Sequence, residues 1–237
     1  MMRSAARPDA EAVSQILAGE AFAVLDIAGG WAWGYAVHDH YVGYVEATAL
    51  GDHESSSHRI GVREAPVFAA PSIKSAVLRI LPFGAGVTGE PGDGFLAVED
   101  GFIHDRHIRP IDEIAGDAVS IAELFLGTPY LWGGRGAGGI DCSGLVQIAL
   151  AATGVAVPRD TDQQRAHVGR ELADGDTLRR GDLVFFPGHV GLMVDDSRLL
   201  HANAYWMSTV IEPLADVVAR LVPICDRPIL SRRRLPS

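Results

Sequence analysis

Short apolar runs separated by turn residues fill the first half of the chain. Ala21-Phe22-Ala23-Val24-Leu25, Trp31-Ala32-Trp33-Gly34-Tyr35 and Tyr41-Val42-Gly43-Tyr44-Val45 read as strands, since aromatic and β-branched residues cluster in runs of strand length. Gly29-Gly30 and His38-Asp39-His40 between them read as hairpin turns. The pattern then repeats imperfectly. Residues 17–22 have an echo in 81–87, Phe95-Leu96-Ala97-Val98 stands where Trp31-Ala32-Trp33 stood, and Gly101-Phe102-Ile103 matches Gly43-Tyr44-Val45. The polar residues 51–58 between the two copies read as a linker.

After residue 115 the period changes. Ile121-Ala122-Glu123-Leu124-Phe125-Leu126 continues a helical pattern that stops at Gly127. A second helix is predicted from Cys142, with Leu145, Ile148, Ala149 and Ala152 on one face and Gly154 closing it. Three strands are then expected over 182–186, 189–194 and 199–203, with Pro187-Gly188 and Asp195-Asp196 as the turns. Helices followed by an antiparallel sheet predict an α+β domain. The chain thus divides into residues 1–52, 58–113 and 115–237, two small β-barrels ahead of one larger domain. The ending shared by the two copies, a large aromatic, a turn, then Gly-aromatic-β-branched, resembles that of bacterial SH3-like domains.

Composition narrows the partners. The 27 glycines and 13 prolines suit a turn-rich, β-rich architecture. A formal net charge of −10 argues against nucleic acid or a membrane surface as partner, both of which need clustered Lys and Arg. The basic run Ser231-Arg232-Arg233-Arg234 reads as a solvated end. Only Cys142 and Cys225 are present, which excludes a disulfide framework and suits a reducing compartment. No export signal is legible near the start and no apolar run reaches spanning length, so a cytoplasmic protein is expected.

Cys142 carries the first chemical signal. It stands in Gly139-Ile140-Asp141-Cys142-Ser143-Gly144 at the start of its predicted helix, where free backbone N–H groups favour a thiolate and can hold an oxyanion. His189 opens one predicted strand and His201 lies on the next. Across a hairpin the two can meet, one as the base for the cysteine and the other orienting it. The same three residues are admissible zinc ligands, yet no H-E-x-x-H or C-x-x-C spacing accompanies them, so no metal or cofactor is expected. Two further readings stay open: tandem barrels with a decayed peptidase would make a binding module, and an amidase or acyltransferase can share the same scaffold.

Thr128-Pro129-Tyr130-Leu131-Trp132-Gly133-Gly134, Asp141-Cys142-Ser143-Gly144-Leu145-Val146, Arg180-Gly181-Asp182-Leu183-Val184-Phe185-Phe186 and His189-Val190-Gly191 resemble, in order and spacing, the motifs of the NlpC-type cell-wall cysteine peptidases. The resemblance covers about residues 115 to 210. It implies a papain-like α+β catalytic domain that cleaves peptidoglycan stem peptides, commonly after γ-D-glutamate. Carried across, it makes Cys142 the nucleophile, His189 the base, His201 the group orienting His189, and Tyr130 a hydroxyl beside the nucleophile. Ser143 and Trp132 travel with their motifs as substrate-binding candidates.

One more segment, Pro158-Arg159-Asp160-Thr161-Asp162-Gln163-Gln164, reads locally as a capping box from Thr161 to Gln164. In NlpC-type enzymes with N-terminal SH3-like domains, the residues matching Asp160 and Thr161 hold the free amine of an N-terminal L-alanine. A glutamate and a tyrosine from the first barrel complete that pocket, and Glu11 and Tyr41 are their counterparts here. The resemblance therefore implies a γ-D-glutamyl-diamino acid endopeptidase acting on murein stem peptides, either meso-diaminopimelate or L-lysine types. A cytoplasmic place implies peptide recycling; a wall hydrolase is the alternative.

Overall fold

A computed structural model describes residues 1–52 and 55–236, so residues 53 and 54 of the expected linker and the final residue lie outside it. The chain forms two compact units, one of Met1–Glu113 with Arg135–Gly138 and one of Ile114–Gly134 with Gly139–Ser237.

The first unit is all β. Its first sheet joins β1 (Met2–Arg3), β2 (Ala12–Ser14), β3 (Phe22–Ala28), β4 (Trp31–Ala36) and β5 (Val42–Glu46) in the order β2-β1-β5-β4-β3. Met2, Ala32, Ala36 and Val45 form its core. The short strands β1 and β2 have no signal in the apolar pattern. The second half of the unit contains β6 (His58–Ile60), β7 (Glu64–Phe68), β8 (Val77–Pro82), β9 (Gly86–Val87), β10 (Gly89–Pro91), β11 (Phe95–Val98), β12 (Gly101–His104) and β13 (Ile108–Pro110). They form a sheet ordered β10-β11-β12-β7-β8 and another ordered β13-β6-β9.

The sequence repeat has a steric cause. A Cβ on Gly43 would lie 3.1 Å from the Arg3 carbonyl oxygen, and one on Gly101 would lie 2.6 Å from that of Phe68. In both copies a neighbouring strand passes where a side chain would stand, and the β-branched residue two positions on, Val45 or Ile103, is buried in the core. Among the described residues, pairing leaves β2 and β3 as edges of one five-stranded sheet and β10 and β8 as edges of the other. The sheets are thus seen; the closure into barrels expected from the repeat is not.

The second unit begins with α1 (Ala118–Glu123), capped by the Asp117 carboxylate, which accepts from the Val119 and Ser120 amides. After β14 (Arg135–Gly136), which belongs to the first unit, β15 (Gly139–Ile140) precedes α2 (Cys142–Ala152), whose residues are nearly all buried. Then come α3 (Thr161–His167), β16 (Arg170–Glu171), β17 (Leu183–Phe186), β18 (His189–Met193), β19 (Arg198–Asn203), β20 (Ser208–Pro213), α4 (Leu214–Leu221) and β21 (Ser231–Arg234). The sheet is ordered β16-β21-β17-β18-β19-β20 and its named pairs are antiparallel.

The three strands expected here are present, but β20, β21 and α4 add to them. The reading of Ser231-Arg232-Arg233-Arg234 as a solvated end is corrected. These residues form β21 between β16 and β17, and Arg234 reaches the buried Asp182 carboxylate through Nε and Nη2, both at 2.7 Å.

Candidate active site

Asp141 ends the approach to α2 and is its N-cap, accepting from the Gly144 amide at 2.7 Å. The same buried carboxylate accepts from the Gly133 amide at 2.8 Å and from both terminal nitrogens of Arg159, at 3.0 and 2.5 Å. Arg159 also donates to the Ser143 hydroxyl at 2.8 Å. Cys142, 4% exposed, is thereby set at the first position of a helix whose start is tied down on three sides. Tyr130 runs beside Ile140 in a parallel bridge, and the Ile140 amide donates to the Pro129 carbonyl. That pairing brings the tyrosine into electrostatic reach of the sulfur: burial pushes its hydroxyl pKa up, and Cys142 and Asp141 add to the rise.

The histidines arrive on the sheet. A turn at Pro187-Gly188 sets Phe186 opposite His189, and β18 pairs with β19 through Leu192 opposite Leu200. Continuing that register puts Gly191 opposite His201. A Cβ on Gly191 would fall 3.0 Å from the His201 Cβ and 2.8 Å from Leu199, so the bare glycine of the His-Val-Gly motif leaves room for the ring. His201 Nδ1 then lies 2.8 Å from His189 Nε2. His189 thus turns its Nε2 toward His201. The Val190 amide, next along the chain, is hydrogen-bonded to the Cys142 sulfur.

Two residues of this line had no sequence signal in hand. His201 Nε2 meets Glu212 Oε1 at 2.8 Å, and Glu212 is paired with Arg220. Reading residues 208–213 as a strand would have placed Glu212 on the face of His201, since Val210 stands opposite His201 and side chains two apart share a face. Asp141 and Arg159 lie in segments singled out for other reasons, but their pairing joins residues too distant in sequence to be read as partners.

The remaining candidates divide. The Thr161 hydroxyl lies 3.9 Å from the Cys142 sulfur, at the start of α3, and Asp160 is the half-buried N-cap of that helix. The expected capping box is corrected: Gln164 donates its side-chain amide to the Ser143 and Pro158 carbonyls instead of reaching back to the cap. Ser143 is buried with its hydroxyl engaged by Arg159 and Asp141, which makes it a support of the helix start. Trp132 is 56% exposed. Glu11 and Tyr41 belong to the first unit. Glu11 is exposed just before β2, while Tyr41 is half-buried against the first sheet's core, where packing already accounts for it.

Charge at the centre differs from the sequence expectation of a helix-start thiolate. Burial pushes the Cys142 thiol up, and Asp141 pushes the same way; the Val190 amide, the Thr161 hydroxyl and the Ser143 amide act against them. Although His189 keeps some surface, desolvation lowers its pKa to about 3, and His201 adds to that fall. Both shifts disfavour a resting thiolate and imidazolium. The rate of Cys142 alkylation by iodoacetamide is expected to rise with a midpoint above ~8.5, the value of a free thiol. A midpoint below it would restore the thiolate.

Among the described residues no helix is long and apolar enough to cross a membrane. Residues 127–216 match the model of the NlpC/P60 family, and residues 2–50 match that of the bacterial dipeptidyl-peptidase Sh3 domain. Dipeptidyl-peptidase 6 of Lysinibacillus sphaericus is 32% identical over 168 residues, 63% of this chain and 62% of that protein. Gamma-D-glutamyl-L-lysine dipeptidyl-peptidase of Bacillus subtilis (strain 168) is 35% identical over 129 residues, 49% of this chain and 43% of that one. The chain thus matches less than two thirds of the length of either relative. The crystal structure of an NlpC/P60 family protein from Bacillus cereus ATCC 10987 covers 94% of this chain, and 82% of its own, with a TM-score of 0.78 at 22% identity, a likeness of fold. The chain thus contains an NlpC/P60 domain, with a bacterial dipeptidyl-peptidase Sh3 domain ahead of it.

Proposed function

We propose that this chain is a cysteine peptidase that hydrolyses the bond between γ-D-glutamate and the following diamino acid, meso-diaminopimelate or L-lysine, in murein stem peptides with a free N-terminal L-alanine. One observation carries the chemistry: a cysteine at a helix start, touched by the amide next to His189, whose far nitrogen is held by His201. The name of the Bacillus subtilis relative supports the γ-D-glutamyl side of the bond.

The sulfur attacks the amide carbon as its proton passes to Nδ1 of His189. The Cys142 amide and the Tyr130 hydroxyl stabilise the oxyanion, and His189 delivers the proton to the leaving amine as the C–N bond breaks. Water, deprotonated by the same imidazole, then cleaves the thioester and restores the thiol. Asp160 supplies a carboxylate for the L-alanine ammonium, with Thr161 beside the sulfur. Glu11 and Tyr41 of the first unit are the proposed further contacts, and Trp132 the exposed aromatic nearest the motif. Requiring a free amine refuses the intact wall, which fits a cytoplasmic recycling role.

The test uses L-Ala-γ-D-Glu-meso-diaminopimelate and its N-acetyl form, with products identified by mass spectrometry. The free peptide is expected to be cut after D-glutamate, with N-acetylation lowering kcat/KM by at least ~10²-fold, because an acetylated amine carries no charge to pair with the Asp160 carboxylate. Asp160→Ala should erase most of that difference. Equal cleavage of both peptides would point to a wall hydrolase, and cleavage of neither would sink the reading.

A further inference from the structure

We propose that Glu212, held by Arg220, fixes the ring tautomers of His201 and then of His189, leaving Nδ1 of His189 as the bare nitrogen that takes the Cys142 proton. This makes Glu212 a positioning residue, and the proposal rests on the reading of His189 as the base of a cysteine peptidase.

The argument is a chain of donors and acceptors. Glu212 is 9% exposed. Burial pulls its pKa up, but hydrogen bonds from Arg220, His201 and Trp206 prevail and hold it below the usual glutamate value. An ionised carboxylate only accepts, so the nitrogen that faces it at 2.8 Å, Nε2 of His201, must carry a proton. His201 is fully buried and burial lowers its pKa, so the ring is neutral and has one proton. Its Nδ1 is then bare and must accept. The atom facing that position, also at 2.8 Å, is Nε2 of His189, which must therefore be the donor. A neutral His189 protonated at Nε2 has its lone pair at Nδ1.

One contact competes. The Asn203 amide nitrogen lies 3.2 Å from His201 Nε2, and the Tyr205 amide holds the Asn203 oxygen at 2.5 Å, which fixes that orientation. Two candidate donors therefore meet, and the shorter contact to the charged Glu212 decides which nitrogen keeps the proton. Without that charge the Asn203 amide would donate to Nε2, the His201 proton would move to Nδ1, and His189 would present an N–H to the sulfur. Arg220 keeps Glu212 in place from α4, its guanidinium carbon 4.6 Å from the centre of the Tyr205 ring.

Ring ¹⁵N chemical shifts report tautomers without substrate. In the unsubstituted chain, His189 and His201 are both expected to be protonated at Nε2. Glu212→Gln should populate the other His201 tautomer and lower kcat/KM by ~10- to 10²-fold, less than the loss seen when a serine-protease carboxylate next to the base is neutralised, since here an imidazole intervenes. Two results overturn the proposal. One is a His201 protonated at Nδ1 in the unsubstituted chain, a measurement that stands even if Glu212→Gln fails to fold. The other is a Glu212→Gln chain whose tautomers are unchanged, whatever its activity. Failure of the peptidase reading is separate, because it would show as full activity in Cys142→Ala with the tautomers still as stated.

Discussion

Cys142→Ala is expected to lower kcat by at least ~10³-fold, because no other side chain at the site can form the thioester. Substrate binding should survive, since alanine keeps the helix start and its Asp141 cap. The check is single-turnover hydrolysis of the murein tripeptide, with binding of the same peptide measured by calorimetry. Cys225→Ala is the control: that thiol donates to the Leu221 carbonyl within one helical turn and touches none of the catalytic set. Activity retained in Cys142→Ala but lost in Cys225→Ala would reverse the assignment.

Arg159→Met should produce the largest loss of stability, about 3–5 kcal/mol, as expected when one partner of a buried ion pair is removed. Arg159 and Asp141 expose 2% and 7% of their side chains, so the stranded carboxylate has no water to turn to. It would retain the Gly133 and Gly144 amides and the Ser143 hydroxyl, none of them charged. Urea unfolding reads the loss directly. Because Asp141 also caps α2, the nucleophile's helix should fray first, and peptidase activity should fall at urea concentrations where the first unit's β signal is intact. A change under 1 kcal/mol would mean that water reaches the pair.

What could be read from the sequence was local. Tight turns at Gly29-Gly30 and Pro187-Gly188, the glycine stop after α2, and the order of four motifs are patterns spanning a few residues each, and each has its place in the structure. What escaped was long-range. The basic run near the chain end has the composition of a solvated tail, and only pairing with β17 about fifty residues earlier makes it a strand. Glu212 looks like an isolated charge until β20 lies against β19. Ser143 stands beside the nucleophile in sequence, but only the fold brings the buried Arg159 to its hydroxyl. The thiol was misjudged for a related reason: the helix start is visible in sequence, whereas the burial that outweighs it is set by strands that arrive later.

The position of β21 also bears on how the protein is made. This strand, made after the other strands of its sheet, lies inside it, with Leu183 opposite Arg233 and Phe185 opposite Ser231. Until it emerges, β17 has a bare edge, and β17 is the strand that carries β18 and its histidine. Contacts so far apart in sequence slow folding, because the intervening loop must close before they repay its entropy. The nascent chain therefore has its cysteine-bearing helix well before it has a completed sheet to present His189. The candidate active site has its complete sheet only once β21 has been made and has paired with β17.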